Sequence, residues 1–403
     1  VSKKCCKTPE LRTVLPCSGF SAESCRNIDH IGKNDNTTCL PNLPTDDFCP
    51  FCSWIDTMTG NHRISLLTVA RVWTKAILVI VFYGTCLISQ EVQKGVIEFR
   101  PSDQESGVPR LFQLPAARFQ WELKAVRQAQ RHHVWALRFP SPLPSDVPVN
   151  NVVHAEYFLP ASPPQGGSKY PAVIVLHILG ADFPLSRFMA ARLADHGVAA
   201  LFIQLPYYGK RKPPNSPDVK FLSSDMNRSQ LAMKQGIMDI RRGFSWLASR
   251  PEVDSTKLYA TGVSLGGIMS ALAVAVEPLA KGGVFTLAGG GLADILWNMP
   301  EREAKAYRSA WEKSGRSFAD LKILVDPLDP LTYADRLKPK QVLIIAGNVD
   351  EVVPPRSTKA LWNAAGQPPV IWYDAGHYSA AAFILPAMRE TIAFLTTGKT
   401  SSP

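Results

Sequence analysis

Two textures of hydrophobicity divide this chain. From about residue 150 onward, short apolar runs alternate with longer stretches of helical period. AVIVLHI (172–178) is a continuous β-branched run, the pattern of a strand buried on both faces. A helical stretch near 184–196 follows, with Phe188, Met189, Leu193 and Ala194 on one face. AALFIQL (199–205) predicts the next strand, 228–249 a long helix ending before Pro251, and KLYATGV (257–263) another strand. A small-residue helix near 266–276, strands at 282–290, 341–347 and 369–375, and helices near 355–365 and 379–397 complete the series. Strands alternating with helices imply an α/β protein with a mostly parallel central sheet and helices on both faces. We take 151–403 as one catalytic-size domain, with the apolar helical stretch 291–340 (Leu292, Ile295, Leu296, Tyr307, Trp311) as a helical cap insertion over a pocket.

Before residue 150 the texture is different. Residues 91–150 read as a linker or N-terminal extension. Within it, Phe119, Leu123, Val126 and Ala129 recur at helical spacing, which predicts a helix over 116–137. Pro140, Pro142, Pro144 and Pro148 exclude a regular helix after that. His132 and His133 are adjacent, and adjacent residues do not share a helix face, so no paired metal site is expected there.

Residues 64–90 carry the apolar run AILVIVFYGTCLIS (76–89), preceded by Arg63, Arg71 and Lys75. Fourteen residues is short of the ~20 of a spanning helix but suits the core of a signal peptide. We expect a signal peptide or membrane anchor, with the catalytic domain outside the cytoplasm and possible membrane association through 64–90; a buried core helix is the competing reading. All eight cysteines lie between Cys5 and Cys86. Residues 1–63 hold seven of them without a sustained period. We expect that region to be disordered or, since Met58 is the first methionine, to reflect a mis-set start. The Cys49–Cys52 pair has no second pair at zinc-finger spacing and no βαβ context for redox work.

The net charge of +10 is spread along the chain with no nucleic-acid-binding motif, so a nucleic-acid partner is not expected. Nothing in the pattern sets an oligomeric state.

Candidate chemistry sits where the strand 257–263 ends. Gly262-Val263-Ser264-Leu265-Gly266-Gly267 has the spacing GxSxG between a predicted strand and a predicted helix. A serine on so sharp a turn needs small neighbours two residues away, and the helix that follows turns its free N–H groups toward a developing oxyanion. Such a nucleophile needs a base, and the base needs an orienting carboxylate. Downstream, Asp350 follows the strand 341–347 and His377 follows the strand 369–375, both in loops at the C-terminal ends of strands. His377 is the sole histidine after Ser264, whereas Asp350 has a rival in Glu351. Leu265 is the expected first oxyanion donor. The second is expected from the loop after the strand 172–178, at Leu179 or Ile178, with Leu179 preferred. His177 reads as a loop-anchoring hydrogen bonder rather than a catalytic group.

Three phrases, MDIRRGFSWLASRPEVDSTKLYATGVSLGG (238–267), VLIIAGNVDEVVPP (342–355) and the histidine loop near 372–378, resemble the α/β-hydrolase superfamily. The likeness is to its dienelactone hydrolase, acetyl-xylan esterase and prolyl-oligopeptidase-like branch. HGVAALFIQLPYYGKRKP (196–213) resembles the same branch, where such a loop lies beside the site. The resemblance implies an α/β-hydrolase fold, with Ser264 as nucleophile, Asp350 as orienter, His377 as base and Leu265 as oxyanion donor. His177-Ile178-Leu179-Gly180 departs from the usual His-Gly phrase. The expected function is hydrolysis of a small-molecule carboxylic ester through an acyl-enzyme, with no metal or cofactor. A peptidase of the same fold and a catalytically silent binding protein are the alternatives. Tyr207, Tyr208, Lys210 and Arg211 are candidates for the pocket mouth.

Overall fold

The computed structural model describes residues 91–401 apart from Ser102, Ala181, Asp182, Pro217, Asp218, Ser224 and Glu301. The cysteine-bearing region 1–63 and the apolar segment within 64–90 lie outside the described residues, as does the expected signal peptide or anchor. Among the described residues no helix is long and apolar enough to cross a membrane.

Ten strands form one sheet: β1 (Val92–Phe99), β2 (Ala117–Gln128), β3 (His132–Pro140), β4 (Val152–Pro160), β5 (Tyr170–Leu176), β6 (Ala199–Ile203), β7 (Val253–Val263), β8 (Ala280–Thr286), β9 (Gln341–Gly347) and β10 (Val370–Tyr373). Their order is β1-β2-β3-β4-β6-β5-β7-β8-β9-β10. The first four run antiparallel, β4 joins β6 antiparallel, and every pair from β6 to β10 is parallel. Apart from a single turn at Asp103–Ser106, the α-helices are α1 (Pro184–Asp195), α2 (Met226–Ala248), α3 (Leu265–Val276), α4 (Leu292–Asn298), α5 (Arg302–Lys313), α6 (Phe318–Val325), α7 (Pro355–Ala364) and α8 (Ile384–Thr397).

The central strands are buried on both faces, as their apolar runs require. On β5, Ala172, Ile174 and Leu176 enter one core while Val173 and Val175 enter the other. α3 reads LGGIMSALAVAV and is buried along its whole length, so it packs as an interior helix rather than an amphipathic one.

The expected helix over 116–137 is not there; the segment forms β2 and the start of β3. Phe119 and Leu123 are four apart, a spacing that also puts two residues on the same face of a strand. Residues 117–125 in fact alternate, with Phe119 and Leu123 buried and Arg118, Gln120 and Lys124 exposed. Val126, assigned to the apolar helix face, is 62% exposed beside a register shift between Ala125 and Arg127. Nor is 91–150 a linker, because β1 to β3 extend the main sheet and Phe112, Phe119, Leu123, Leu137 and Phe139 belong to its core.

Candidate active site

The turn from β7 into α3 carries Ser264, with φ 56° and ψ −119°. A non-glycine residue is held there only when its surroundings over-determine it, at a cost of about 1–3 kcal/mol. The surroundings are tight. The Ser264 N–H donates to Thr286 O at 2.9 Å, and its carbonyl accepts from Ile268 N–H at 3.0 Å. A Cβ on Gly262 would meet the Gly266 carbonyl carbon at 2.5 Å, and one on Gly266 would meet the Leu176 carbonyl oxygen at 2.5 Å. Both obstacles are backbone and cannot swing aside, so both positions need glycine at this close approach. The free N–H groups of the first turn of α3 open beside the serine, Leu265 N–H first among them.

The β9 and β10 loops bring Asp350 and His377 to the same point. His377 Nε2 lies 2.9 Å from Ser264 Oγ, and His377 Nδ1 lies 2.8 Å from Asp350 Oδ2. An ionised carboxylate only accepts, so Nδ1 carries the proton and Nε2 is left to accept from the serine hydroxyl. Asp350 is buried and its Oδ1 also accepts the N–H groups of Val352 and Val353, at 2.9 and 2.8 Å. Glu351 takes a different position: its carboxylate accepts the His377 backbone N–H at 2.9 Å and holds the loop rather than the imidazole.

His177, fully buried, ties together two loops. Its Nε2 accepts from Leu205 N–H at 3.1 Å, which leaves Nδ1–H to donate to Ile178 O at 2.7 Å. Burial pushes its pKa down to about 4, so the ring is neutral, as both bonds require. The strap after β5 places Ile178 and Leu179 at the wall of the cavity that holds Ser264. Among the described residues the Leu179 N–H has no protein acceptor.

That cavity encloses about 360 Å³. Its wall is chiefly aliphatic, with Met233, Ile268, Ile295, Leu296 and Val353 among the contributors. Among the described residues of the 291–340 segment, only α4 and Met299 reach it. Tyr307 and Trp311 do not line it; the Trp311 indole donates to Ser317 O at 2.8 Å instead. In the remainder, Leu321, Val325, Leu328, Ala334 and Leu337 are buried in the main core, so the cap is smaller than expected.

The PYYGKRKP loop also differs from its expected place at the mouth. Tyr207 is buried, Arg211 is fully buried, and neither Tyr208 nor Lys210 lines the cavity. Arg211 pairs with the equally buried Asp239 on α2, at 2.8 Å. Sequence reasoning missed this pair, although an aspartate amid the apolar positions of α2 (Met238, Asp239, Ile240) was a signal that a buried cation had to exist.

The sheet order, with its serine turn after β7, defines an α/β-hydrolase fold of the serine-hydrolase type. A family model described as alpha/beta hydrolase domain containing 18 matches residues 73–288, more than half of the chain, and the chain belongs to that family. A second model, the prolyl oligopeptidase family, matches residues 227–373. Ser264 lies within both, Asp350 within the second, and His377 beyond either. An uncharacterized protein of Mycobacterium tuberculosis strain H37Rv is 27% identical over 199 residues, 49% of this chain and 46% of the relative. The chain thus spans about half the length of the curated relatives it matches. Among solved structures, an acetyl xylan esterase from Paenibacillus sp. R4 aligns with TM-score 0.53 at 19% identity, covering 66% of this chain and 88% of that one. Acetyl xylan esterase 1 from Thermoanaerobacterium sp. JW/SL YS485 aligns with TM-score 0.51 at 20% identity, covering 66% and 87%. At such identities the likeness concerns the fold.

Proposed function

We infer that this protein hydrolyses carboxylic esters bearing an apolar group, through an acyl-enzyme on Ser264. The observation that carries the reading is the unbroken relay from Ser264 Oγ to His377 to Asp350, at 2.9 and 2.8 Å, opening into an apolar cavity. Ser264 Oγ attacks the ester carbonyl while His377 Nε2 takes the hydroxyl proton. Asp350 holds the imidazole in the right tautomer and stabilises its positive charge. The carbonyl oxygen gathers negative charge beside the Leu265 N–H, with the Leu179 N–H as the second donor. Collapse of the tetrahedral species releases the alcohol, which takes its proton from His377. Water then attacks the acyl-enzyme by the same relay and frees the acid. No step calls for a metal or a cofactor.

The match to the prolyl oligopeptidase family over 227–373 supports a second reading, hydrolysis of a peptide bond by the same residues. Aminoacyl p-nitroanilides and p-nitrophenyl esters of graded acyl length, assayed side by side, separate the two. For the ester reading we expect turnover of the esters and covalent labelling by a fluorophosphonate, both abolished in Ser264→Ala. Asp350→Asn should cut kcat by about 10⁴-fold, as loss of the orienting carboxylate does elsewhere, and Glu351→Gln far less. A Glu351→Gln loss as large as that of Asp350→Asn would overturn the assignment. A wild-type protein that is folded yet neither labels nor turns over any ester would overturn the function.

A further inference from the structure

If Ser264 is an acyl nucleophile, the reading on which this inference rests, its oxyanion is served from the strap 177–180 as well as from α3. A donor on a loop is useful only when the loop is fixed, since a displacement of about 1 Å can cost ~10²-fold in rate. β5 ends at Leu176, so the strand does not fix the strap. What holds it is the loop 204–211 after β6. That loop supplies the Leu205 N–H to His177, and it lays the Tyr208 ring edge-to-face on the imidazole, with centroids 4.5 Å apart and planes at 73°. Phe183 packs on the same imidazole at 4.9 Å.

The loop 204–211 is itself bent against its preference. Tyr207 sits at φ +65°, a value that a residue with a side chain disfavours, while Gly209 at φ +52° takes its positive φ without strain. The grip that keeps it bent comes from outside the catalytic half, from Asn150 in the connection between β3 and β4. Asn150 Oδ1 accepts the Tyr207 N–H at 3.1 Å. The Asn150 carbonyl accepts both Nε and Nη2 of Arg211, at 3.1 and 2.7 Å. Arg211 adds a bond to Gln204 O at 3.0 Å and its ion pair with Asp239. The amide of Asn150 cannot turn over, because its Nδ2 donates to Gln235 Oε1 at 2.6 Å. Asn150, Arg211, Gln235 and Asp239 are all 0% exposed.

The geometry points to Asn150 as a positioning residue for the oxyanion site. By holding the Tyr207 turn it seats Tyr208 against His177, and His177 in turn sets the strap that carries the Leu179 N–H.

The test uses the full chain, p-nitrophenyl esters and an aryl trifluoromethyl ketone, whose tetrahedral adduct with Ser264 must place its oxyanion at the same donors. We expect Asn150→Ala and Tyr208→Leu to lower kcat by about 10- to 100-fold with KM changed less than ~3-fold. The ketone should bind more weakly in the same proportion. Tyr208→Phe, which keeps the ring on His177 but loses the hydroxyl's hydrogen bond with the Gly180 backbone, should recover part of the loss. Folded enzyme is counted by fluorophosphonate titration, so kcat refers to competent molecules. Variants with lowered melting temperature but wild-type kcat and ketone affinity would overturn the proposal. So would Tyr208→Phe as impaired as Tyr208→Leu. If Asn150→Ala does not fold, the two Tyr208 variants decide the matter. A wild-type protein silent toward both ester and fluorophosphonate removes the Ser264 reading and this inference together, whereas an active wild type with unaltered variants removes this inference alone.

Discussion

At the scale of single residues, the site is a set of choices that leave little freedom. His177 shows this for proton occupancy. Folded, its pKa lies at about 4 because burial disfavours the cation; unfolded, it returns to about 6.5. Between these values the unfolded chain binds a proton that the folded chain refuses, so stability is fully present above about 6.5 and is lost as pH falls toward 4. His154, also pushed down to about 4 by partial burial and by Lys210, Arg211 and Arg138, acts in the same direction. The expected outcome is a melting temperature that declines between pH 7 and 4.5, with a shallower decline in His177→Gln. An identical slope in the variant would show that His177 does not contribute. Ser264 was legible from its GxSxG spacing between a strand and a helix, and His377 from following a strand with no competing histidine downstream. Asp350 and Glu351 could not be separated that way, since one residue of difference decides between the imidazole and the loop backbone. Arg211 was placed at the pocket mouth because nothing local in a Lys-Arg-Lys run points to a buried partner, and Asp239 is remote in sequence.

At the scale of elements, α2 does more than cover the sheet. Arg241 on this helix donates to Glu105 and Glu277, at 2.7 and 2.8 Å, and to the Phe112 carbonyl. Three segments (103–114, α2 and the end of α3) are thereby joined at a point nearly closed to water. Removing the cation would leave two carboxylates buried without their partner, which typically destabilises by about 3–5 kcal/mol. Arg241→Met should therefore lower the urea midpoint by a corresponding amount. Glu277→Gln in the same chain should return part of it; a neutral Arg241→Met would mean that water reaches these carboxylates. Elements after residue 170 were readable because their strands are unbroken apolar runs between helices. β2 was not read, because Phe119 and Leu123 satisfy both periods and the polar alternation between them went unweighed.

At the scale of the molecule, the parallel half carries Ser264, Asp350 and His377, and the antiparallel half completes the sheet. A chain begun at residue 151 would keep Ser264, Asp350 and His377. It would lose β1 to β3, and with them Phe119, Leu123, Leu137 and Phe139 from the core. We expect such a truncation to be insoluble or molten, judged by solubility and near-ultraviolet circular dichroism. A soluble, cooperatively melting product would show that the extension is dispensable. The boundary drawn at residue 150 followed the change in sequence texture, but contacts across the sheet ignore that change.

The strand order has one more consequence, in the time taken to make the chain. β1 to β3 pair only with their sequence neighbours, and β4 does so on its β3 side, so the antiparallel half can close while the rest is still being synthesised. β4 then offers an open edge that β6 will occupy, but β5 emerges first and must end up one place further in. β5 is seated between β6 and β7, and β7 leads directly into Ser264. The strap that follows β5 and the serine turn that follows β7 are thus brought side by side only once β5 has docked between β6 and β7.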